Sequence, residues 1–286
     1  MGDTTGEGSR FFVMKIAQFY DDKKICLGLV RPEGLIPINF DGDMIEFIKA
    51  AALPETNGRA LPIDGVKLAA PVSRPSKIIA IGLNYKDHAD ESKGKLPEVP
   101  LIFAKFPNSI TGPDSDIVWD ESVTKKVDFE AELAVVIGKE TYNCTEAEAI
   151  SCVFGYTCAN DVSARDLQFG DGQWVRGKSL DTFCPIGPWI VTPDELGDPH
   201  SLRIQCFLNG WKMQDSNTGL IIFKVSALIS FFSRHFTLMP GDIILTGTPH
   251  GVGAFRRPPV YMTNGDEVCV DIEGIGRLIN TCRIVN

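Results

Sequence analysis

The stretch KKVDFEAELAVVIGK, residues 125–139, constrains the fold more than any other part of the chain. Its second half, LAVVIG, is a continuous apolar run of the kind found in strands that enter a core. Its first half sets Asp128, Glu130 and Glu132 at every second position. Strand side chains alternate between faces, so these three carboxylates share one face, with neighbours roughly 7 Å apart. They repel one another unless something of opposite charge holds them. A solvated strand face is the ordinary fate of alternating charge, but such faces mix signs, and here three anions come in succession.

The rest of the chain is dominated by short strand-like runs: KIIAIG, LIFAKF, CVFGYTCAND, GPWIV, LRIQCFLNG, DIILTG, DEVCVDI and GRLINTCRIV. Only TEAEAISC, opening on Thr145 as a cap with acids in its first turn, and KVSALISFFSRH read firmly as helices in the second half. The opening part, FFVMKIAQFYDDKKICLGLVRPEGLIPIN, reads as strands and turns followed by a helix, DMIEFIKAAAL. A Pro/Gly-rich joint, LPIDGVKLAAPVSRP, follows it. The expected architecture is mainly β with a few helices (α+β), of sandwich or barrel type, with a small N-terminal domain over 1–70 and the main domain over 71–286.

A chain of 286 residues with 44% hydrophobic content can bury a sizeable core. The net charge of −9 argues against a nucleic-acid partner, because phosphate binding rests on a basic surface. No segment reaches the roughly 18–20 apolar residues needed to span a bilayer; LIIFKVSALISFF is interrupted by Lys224. The opening MGDTTGEGSRFF carries acids and no apolar core, unlike a signal or transit peptide, and Gly6 breaks the myristoylation pattern. The eight cysteines form no CxxC pair and read as small core residues in a reducing compartment. The expected location is the cytoplasm, with the mitochondrial matrix as the alternative in a eukaryote.

A divalent cation held by Glu130 and Glu132 removes the repulsion at the acidic strand. The third ligand is sought where another strand leaves the core, and GYTCANDVSARD delivers Asp161 there. All-oxygen ligation selects Mg²⁺, Mn²⁺ or Ca²⁺ over zinc, and two or three carboxylates with open positions suit Mg²⁺ or Mn²⁺ acting on a substrate better than a closed calcium cage.

Six blocks in order, IGLNYKDHADE, KVDFEAELAVVIG, GYTCANDVSARDLQ, GKSLDTFCPIGPWIV, LNGWKMQDSNT and PGDIILTGTPHGVGAF, resemble the fumarylacetoacetate hydrolase superfamily. The similarity covers about residues 72–284. It is greatest to the branch of fumarylacetoacetate hydrolase domain-containing protein 2 and the bacterial 2-hydroxyhepta-2,4-diene-1,7-dioate isomerases. The resemblance implies a β-sandwich roll as catalytic domain, a homodimer, Mg²⁺ or Mn²⁺ as cofactor, and Glu130, Glu132 and Asp161 as metal ligands, the same three that the charge argument selects. It also implies that His88 and Glu91 form a general-base dyad on a lid, where helical spacing alone would allow a chance surface pair. The polar stretch SKGKLPEVP after them would be the lid connection. In fumarylacetoacetate hydrolase itself an acid near the place of Asp87 joins the metal shell, whereas the smaller relatives do without it, so the resemblance leaves the part of Asp87 open. Lys178 would stabilise an enolate, Arg165 and Gln168 would contact a substrate carboxylate or carbonyl, and Thr248 and Tyr85 would complete the substrate contacts. Asp166 is expected to pair with Arg165.

The glycine-rich LTGTPHGVG lacks the Lys-Ser/Thr ending of a phosphate loop and is read, through the resemblance, as a turn for the substrate's acid end. His235 and His250 have no acidic partner at useful spacing and receive no role. The expected reaction is metal-dependent hydrolysis of a C–C bond in a small acylpyruvate-like 2-oxo acid. Oxaloacetate tautomerisation or decarboxylation, or 2-hydroxydienoate isomerisation, is the alternative. A non-catalytic metal-stabilised protein would lack one of His88, Glu91, Lys178 or the three acids, and none is missing.

Overall fold

The computed structural model describes residues 13–56, 58–92 and 96–285. The opening residues 1–12, on which the targeting expectation rests, and residues 93–95 of the lid connection lie outside them. In chain order the elements are β1 (Lys15–Asp21), β2 (Lys24–Arg31), β3 (Gly34–Pro37), α1 (Met44–Ala50), β4 (Leu68–Ala69), β5 (Ile78–Gly82), α2 (Lys86–Ser92) and β6 (Leu101–Lys105). β7 (Ile110–Thr111), β8 (Asp116–Asp120), β9 (Val127–Asp128), β10 (Ala131–Ile137), α3 (Glu146–Ala149), β11 (Val153–Asn160), β12 (Ser163–Ala164), α4 (Arg165–Asp171) and α5 (Val175–Lys178) follow. The chain ends with β13 (Cys184–Val191), α6 (Pro193–Leu196), β14 (Arg203–Leu208), β15 (Trp211–Asn217), α7 (Val225–His235), β16 (Ile243–Leu245), β17 (Glu267–Ile272) and β18 (Gly276–Val285). The fold is mainly β with a few helices.

The apolar run of β10 is buried at every position, and so is β11. Both faces of these strands are covered, as a continuous rather than alternating pattern requires. Leu133, Val135 and Ile137 face one apolar cluster with Ile204, Cys206, Val268, Val270 and Leu278, which come from the second sheet. Ala134 and Val136 face the opposite cluster, with Ile78, Ala80, Ile243 and Leu245 and with Met44, Phe47 and Ile48 of α1. Period-two alternation thus feeds two cores from one strand. Truncating Leu133 to alanine should cost about 2–5 kcal/mol, the range for a fully buried leucine.

The larger sheet runs β3-β2-β1-β13-β11-β10-β16-β5-β6, and the smaller runs β15-β14-β17-β18-β8. β18 alternates buried and less buried positions, as strands with one face in water do. The N-terminal strands join the larger sheet directly, because β1 pairs with β13 through Lys15↔Val191 and Ile16↔Ile190. α1 begins at Asp43, whose Oδ1 accepts from Glu46 N at 2.9 Å, and ends at Ala51 in the left-handed region, φ 46°.

α4 and α5 were not legible as helices, because SARDLQFGDGQWVRGK is punctuated by Gly170, Gly172 and Gly177. The packing explains Gly177. A Cβ there would approach Gln168 N to 2.7 Å and Ala164 O to 2.9 Å, so only glycine lets α5 lie against α4.

Candidate active site

Antiparallel pairing of β10 with β11 sets Ala131 opposite Asn160. That register brings Glu130, just before β10, beside Asp161, just past β11, and Asp161 N donates to Glu130 O at 2.9 Å. Asn160 Oδ1 accepts from Glu130 N at 2.9 Å and fixes the same corner. Glu132 follows one strand repeat further in. Ligand-capable oxygens of Glu130, Glu132 and Asp161 all lie within 4.8 Å of one another, and all three residues are buried. This is a hard, all-oxygen donor set that fits a divalent cation.

Protein cations already neutralise part of this charge. Lys178 Nζ lies 2.7 Å from Glu130 Oε2 and 2.6 Å from Asp161 Oδ2. Lys105 Nζ donates to Asp161 Oδ1 at 2.6 Å and to Val162 O at 3.2 Å. Arg165 donates from Nε to Asp128 Oδ2 at 2.8 Å and from Nη1 to Gln168 Oε1 at 2.9 Å. Its Nη2 is in ion-pair contact with Glu130 Oε1 at 2.7 Å without the alignment of a hydrogen bond. Burial works against the Glu130 carboxylate, but Lys178 and Arg165 outweigh it and hold its pKa at about 2.

Glu132 differs. Its Oε2 accepts from Gly247 N at 2.7 Å, and no lysine or arginine pairs with it among the described residues. Burial first, and then the Asp161 and Glu130 charges, push its pKa well above the usual carboxylate range. Four buried carboxylates, Asp128 included, face three buried cations, and the surplus sits at Glu132, where a metal would remove it. Burial also penalises the Lys178 ammonium, but Asp161 and Glu130 overcome it and raise its pKa, so Lys178 stays a cation.

Asp128 is not part of the triad. Its carboxylate accepts from Gly253 N at 2.8 Å and Ala254 N at 2.9 Å, as well as from Arg165. Strand geometry is interrupted between β9 and β10, and Asp128 serves as a bracket between the 253 turn and Arg165. The expected pairing of Arg165 with Asp166 is corrected by the same contacts: Asp166 instead accepts from Thr124 Oγ1 at 2.6 Å and Lys125 N at 3.1 Å.

His88 and Glu91 meet as helical spacing predicts, with Nδ1 3.1 Å from Glu91 Oε2. His88 is 7% exposed, packs on Phe255 and lines a cavity of about 120 Å³. The same cavity is bounded by Glu130, Glu132, Arg165, Gln168, Lys178 and Thr248, with Phe103, Phe169 and Trp174 as apolar walls. The expected contacts of Arg165, Gln168 and Thr248 therefore face the site. Tyr85 does not line it. The ring is fully buried in the core beside Glu132, its hydroxyl has no hydrogen-bond partner, and its residue is bridged to Ile221 by the backbone.

The glycine turn behaves differently from expectation. Three of its N–H groups hold carboxylates of the chain itself: Gly247 holds Glu132, Gly251 holds Glu91 at 3.0 Å, and Gly253 holds Asp128. Thr248 Oγ1 accepts from Gln214 Nε2 at 2.9 Å, and Gln214 Oε1 accepts from Ala131 N at 2.9 Å, so Gln214 links the turn to the start of β10. His250, given no role from spacing, has an acidic partner after all: its Nδ1 lies 2.9 Å from Asp87 Oδ2. Asp87 stands outside the metal triad. Lys105 and Gln214 were missed; the signal for Lys105 is a lone lysine between apolar residues of a strand, in LIFAKF.

The chain matches the family model described as fumarylacetoacetate (FAA) hydrolase C-terminal over residues 77–283. It is similar to the mitochondrial oxaloacetate tautomerase Fahd2a of Rattus norvegicus, 50% identical over 81% of this chain and 72% of the relative. A fumarylacetoacetate hydrolase domain-containing protein 2 homolog of Dictyostelium discoideum is 46% identical over 79% of this chain and 77% of its own. Among solved structures, the fumarylacetoacetate hydrolase of Exiguobacterium antarcticum superposes with a TM-score of 0.87 at 37% identity, covering 95% of this chain and all of the other. The 2-hydroxyhepta-2,4-diene-1,7-dioate isomerase of Mycobacterium marinum superposes with a TM-score of 0.80 at 36% identity, covering 95% and 98%.

Proposed function

This chain belongs to the fumarylacetoacetate hydrolase family, and from that premise we propose that it is a divalent-metal-dependent tautomerase interconverting the keto and enol forms of oxaloacetate. The observation that carries the reading is the meeting, in one cavity, of the His88 imidazole with Glu130 and Glu132 of the buried acidic triad. Relatives named as oxaloacetate tautomerases favour it over the C–C hydrolysis expected first from the sequence.

A Mg²⁺ or Mn²⁺ held by Glu130, Glu132 and Asp161 would supply stabilisation of negative charge on the oxygen of a 2-oxo acid. The chain's own groups do the rest. With Nδ1 committed to Glu91, Nε2 of His88 is the nitrogen available to take a proton from C3. The C3–H electron pair becomes the C2–C3 double bond, and the same proton is returned to the former carbonyl oxygen. Lys178, whose ammonium bridges Glu130 and Asp161, acts as a fixed positive charge beside the developing enolate. Phe103, Phe169, Trp174 and Phe255 give the cavity apolar walls.

The test is a panel of enol-oxaloacetate, acylpyruvates and 2-hydroxydienoates with Mg²⁺ and Mn²⁺, following enol absorbance and pyruvate release separately. Accelerated loss of enol without pyruvate is the expected result. Pyruvate release from acylpyruvates at a higher kcat/KM would return the function to hydrolysis.

Two further parts of the reading concern setting. Several relatives are named as mitochondrial, which supports a mitochondrial location over the cytoplasmic one expected from the sequence. A homodimer is supported by the apolar edge at β6, where Leu101 and Ile102 are exposed; sedimentation velocity tests it. Among the described residues no helix is long and apolar enough to cross a membrane.

A further inference from the structure

α2 carries the base of the proposed reaction but is only seven residues long. An isolated helix of that length is unstable in water, so contacts outside the helix must fix its position. Asp87 provides two of them, to Ser216 and His250, besides one contact within the helix. Its Oδ1 accepts from His88 N at 2.8 Å, and its Oδ2 accepts from Ser216 Oγ of β15 at 2.6 Å and lies 2.9 Å from His250 Nδ1. One turn later Glu91 spans the same gap, with Oε2 on the His88 ring and Oε1 on Gly251 N. The dyad is therefore tied at both ends to residues 250–251, the turn whose next member, Gly253, grips Asp128. Arg256 stiffens that turn from behind, donating from Nε to Gly251 O at 3.1 Å and from Nη2 to Met213 O.

We propose that Asp87 and His250, with Ser216, are positioning residues that latch α2 onto the glycine turn and so set the His88 ring over the acidic triad. None of the three lines the cavity, so their effect on the reaction passes through His88 and Glu91. His250 is the separable part of the latch. Its side chain is 47% exposed, and replacing it disturbs no core, whereas Asp87 also holds the His88 backbone. The inference rests on the proposed role of His88 as the base.

The experiment compares the full-length wild type with His250→Ala, His250→Gln and Asp87→Asn, all saturated with Mg²⁺. It reads hydrogen exchange of amides 87–91 alongside enol-oxaloacetate kinetics. His250→Ala should speed exchange in 87–91 and lower kcat by about tenfold to a hundredfold, the penalty for a base displaced by about 1 Å, with KM changed much less. His250→Gln, which keeps a side-chain donor toward Asp87, should restore most of both. Unchanged exchange and kcat in His250→Ala, or failure of glutamine to do better than alanine, overturns the latch. If the wild type does not turn over oxaloacetate, the functional reading falls, while the exchange comparison still decides whether the latch exists.

Discussion

Lys105 and Asp161, separated by 56 residues in sequence, meet in the core with Nζ 2.6 Å from Oδ1. Lys178 takes the other carboxylate oxygen at the same distance, so Asp161 is held between two ammonium groups. Asp161 therefore reaches the triad with its orientation already set by the two lysines. Lys105→Met should lower Mg²⁺ or Mn²⁺ affinity by about 10- to 100-fold, the usual effect of removing the partner of a ligating carboxylate. Isothermal titration of the variant checks this, and an unchanged affinity would make Lys105 a structural ion pair only.

Metal removal should act mainly through Glu132. Its folded pKa is raised, so without metal the folded state favours the protonated acid; that contribution is present below the ordinary value of 4.5 and is lost as pH rises. Chelation should therefore lower the melting temperature at neutral pH, where metal at a hundred times its Kd contributes about 2.7 kcal/mol. Glu132→Gln should melt higher than the wild type without metal and gain nothing from adding it. A metal-dependent rise in melting temperature that survives in Glu132→Gln would place the ion elsewhere.

Lys178→Met should lower kcat by about 10²- to 10³-fold, the cost of removing one fixed stabiliser of developing charge. Because Lys178 shares Glu130 and Asp161 with any metal, the variant should bind Mg²⁺ as tightly as the wild type or more so. Weaker metal binding together with a normal kcat at saturation would assign the lysine to ligand positioning instead.

Acid sensitivity has a separate source at α7. His200 Nε2 accepts from Val225 N at 3.1 Å at the start of that helix, and burial, followed by the Lys224 charge, lowers its pKa from 6.5 despite Asp198. A base with a lowered folded pKa contributes stability that is present above 6.5 and is lost as pH falls through the folded value. Stability should fall below pH 6.5, and His200→Gln should flatten that part of the profile. Denaturant midpoints measured across the range distinguish the two curves, and identical slopes would remove His200 from the account.

The parts of the site that were legible in the sequence are those fixed by local geometry. Alternation placed Glu130 and Glu132 together, the end of an apolar strand placed Asp161, and helical spacing joined His88 to Glu91. Contacts set by topology were not legible. His250 and Asp87 are 163 residues apart, and only the folded turn brings them within 2.9 Å. Tyr85 shows the opposite failure: it stands three residues before His88, yet its ring turns into the core while the histidine faces the cavity. The glycine turn looked free to hold a ligand because a sequence gives no sign that its N–H groups are already occupied.

The register between β10 and β11 is regular from Ala131↔Asn160 to Val136↔Gly155 and slips only between Val136 and Ile137, at the end away from the triad. Insertions and deletions therefore have very different consequences at the two ends of this hairpin. A residue gained or lost between Ala131 and Val136 would turn every later side chain to the other face and separate Glu130 and Glu132 from Asp161. The irregular pairing and the connection through α3 lie beyond the slip, so changes in length there can be absorbed before they reach the metal ligands. Homologous chains that diverge in this hairpin should do so in loop length around residues 138–152 and keep the spacing of the two strand segments next to the acids.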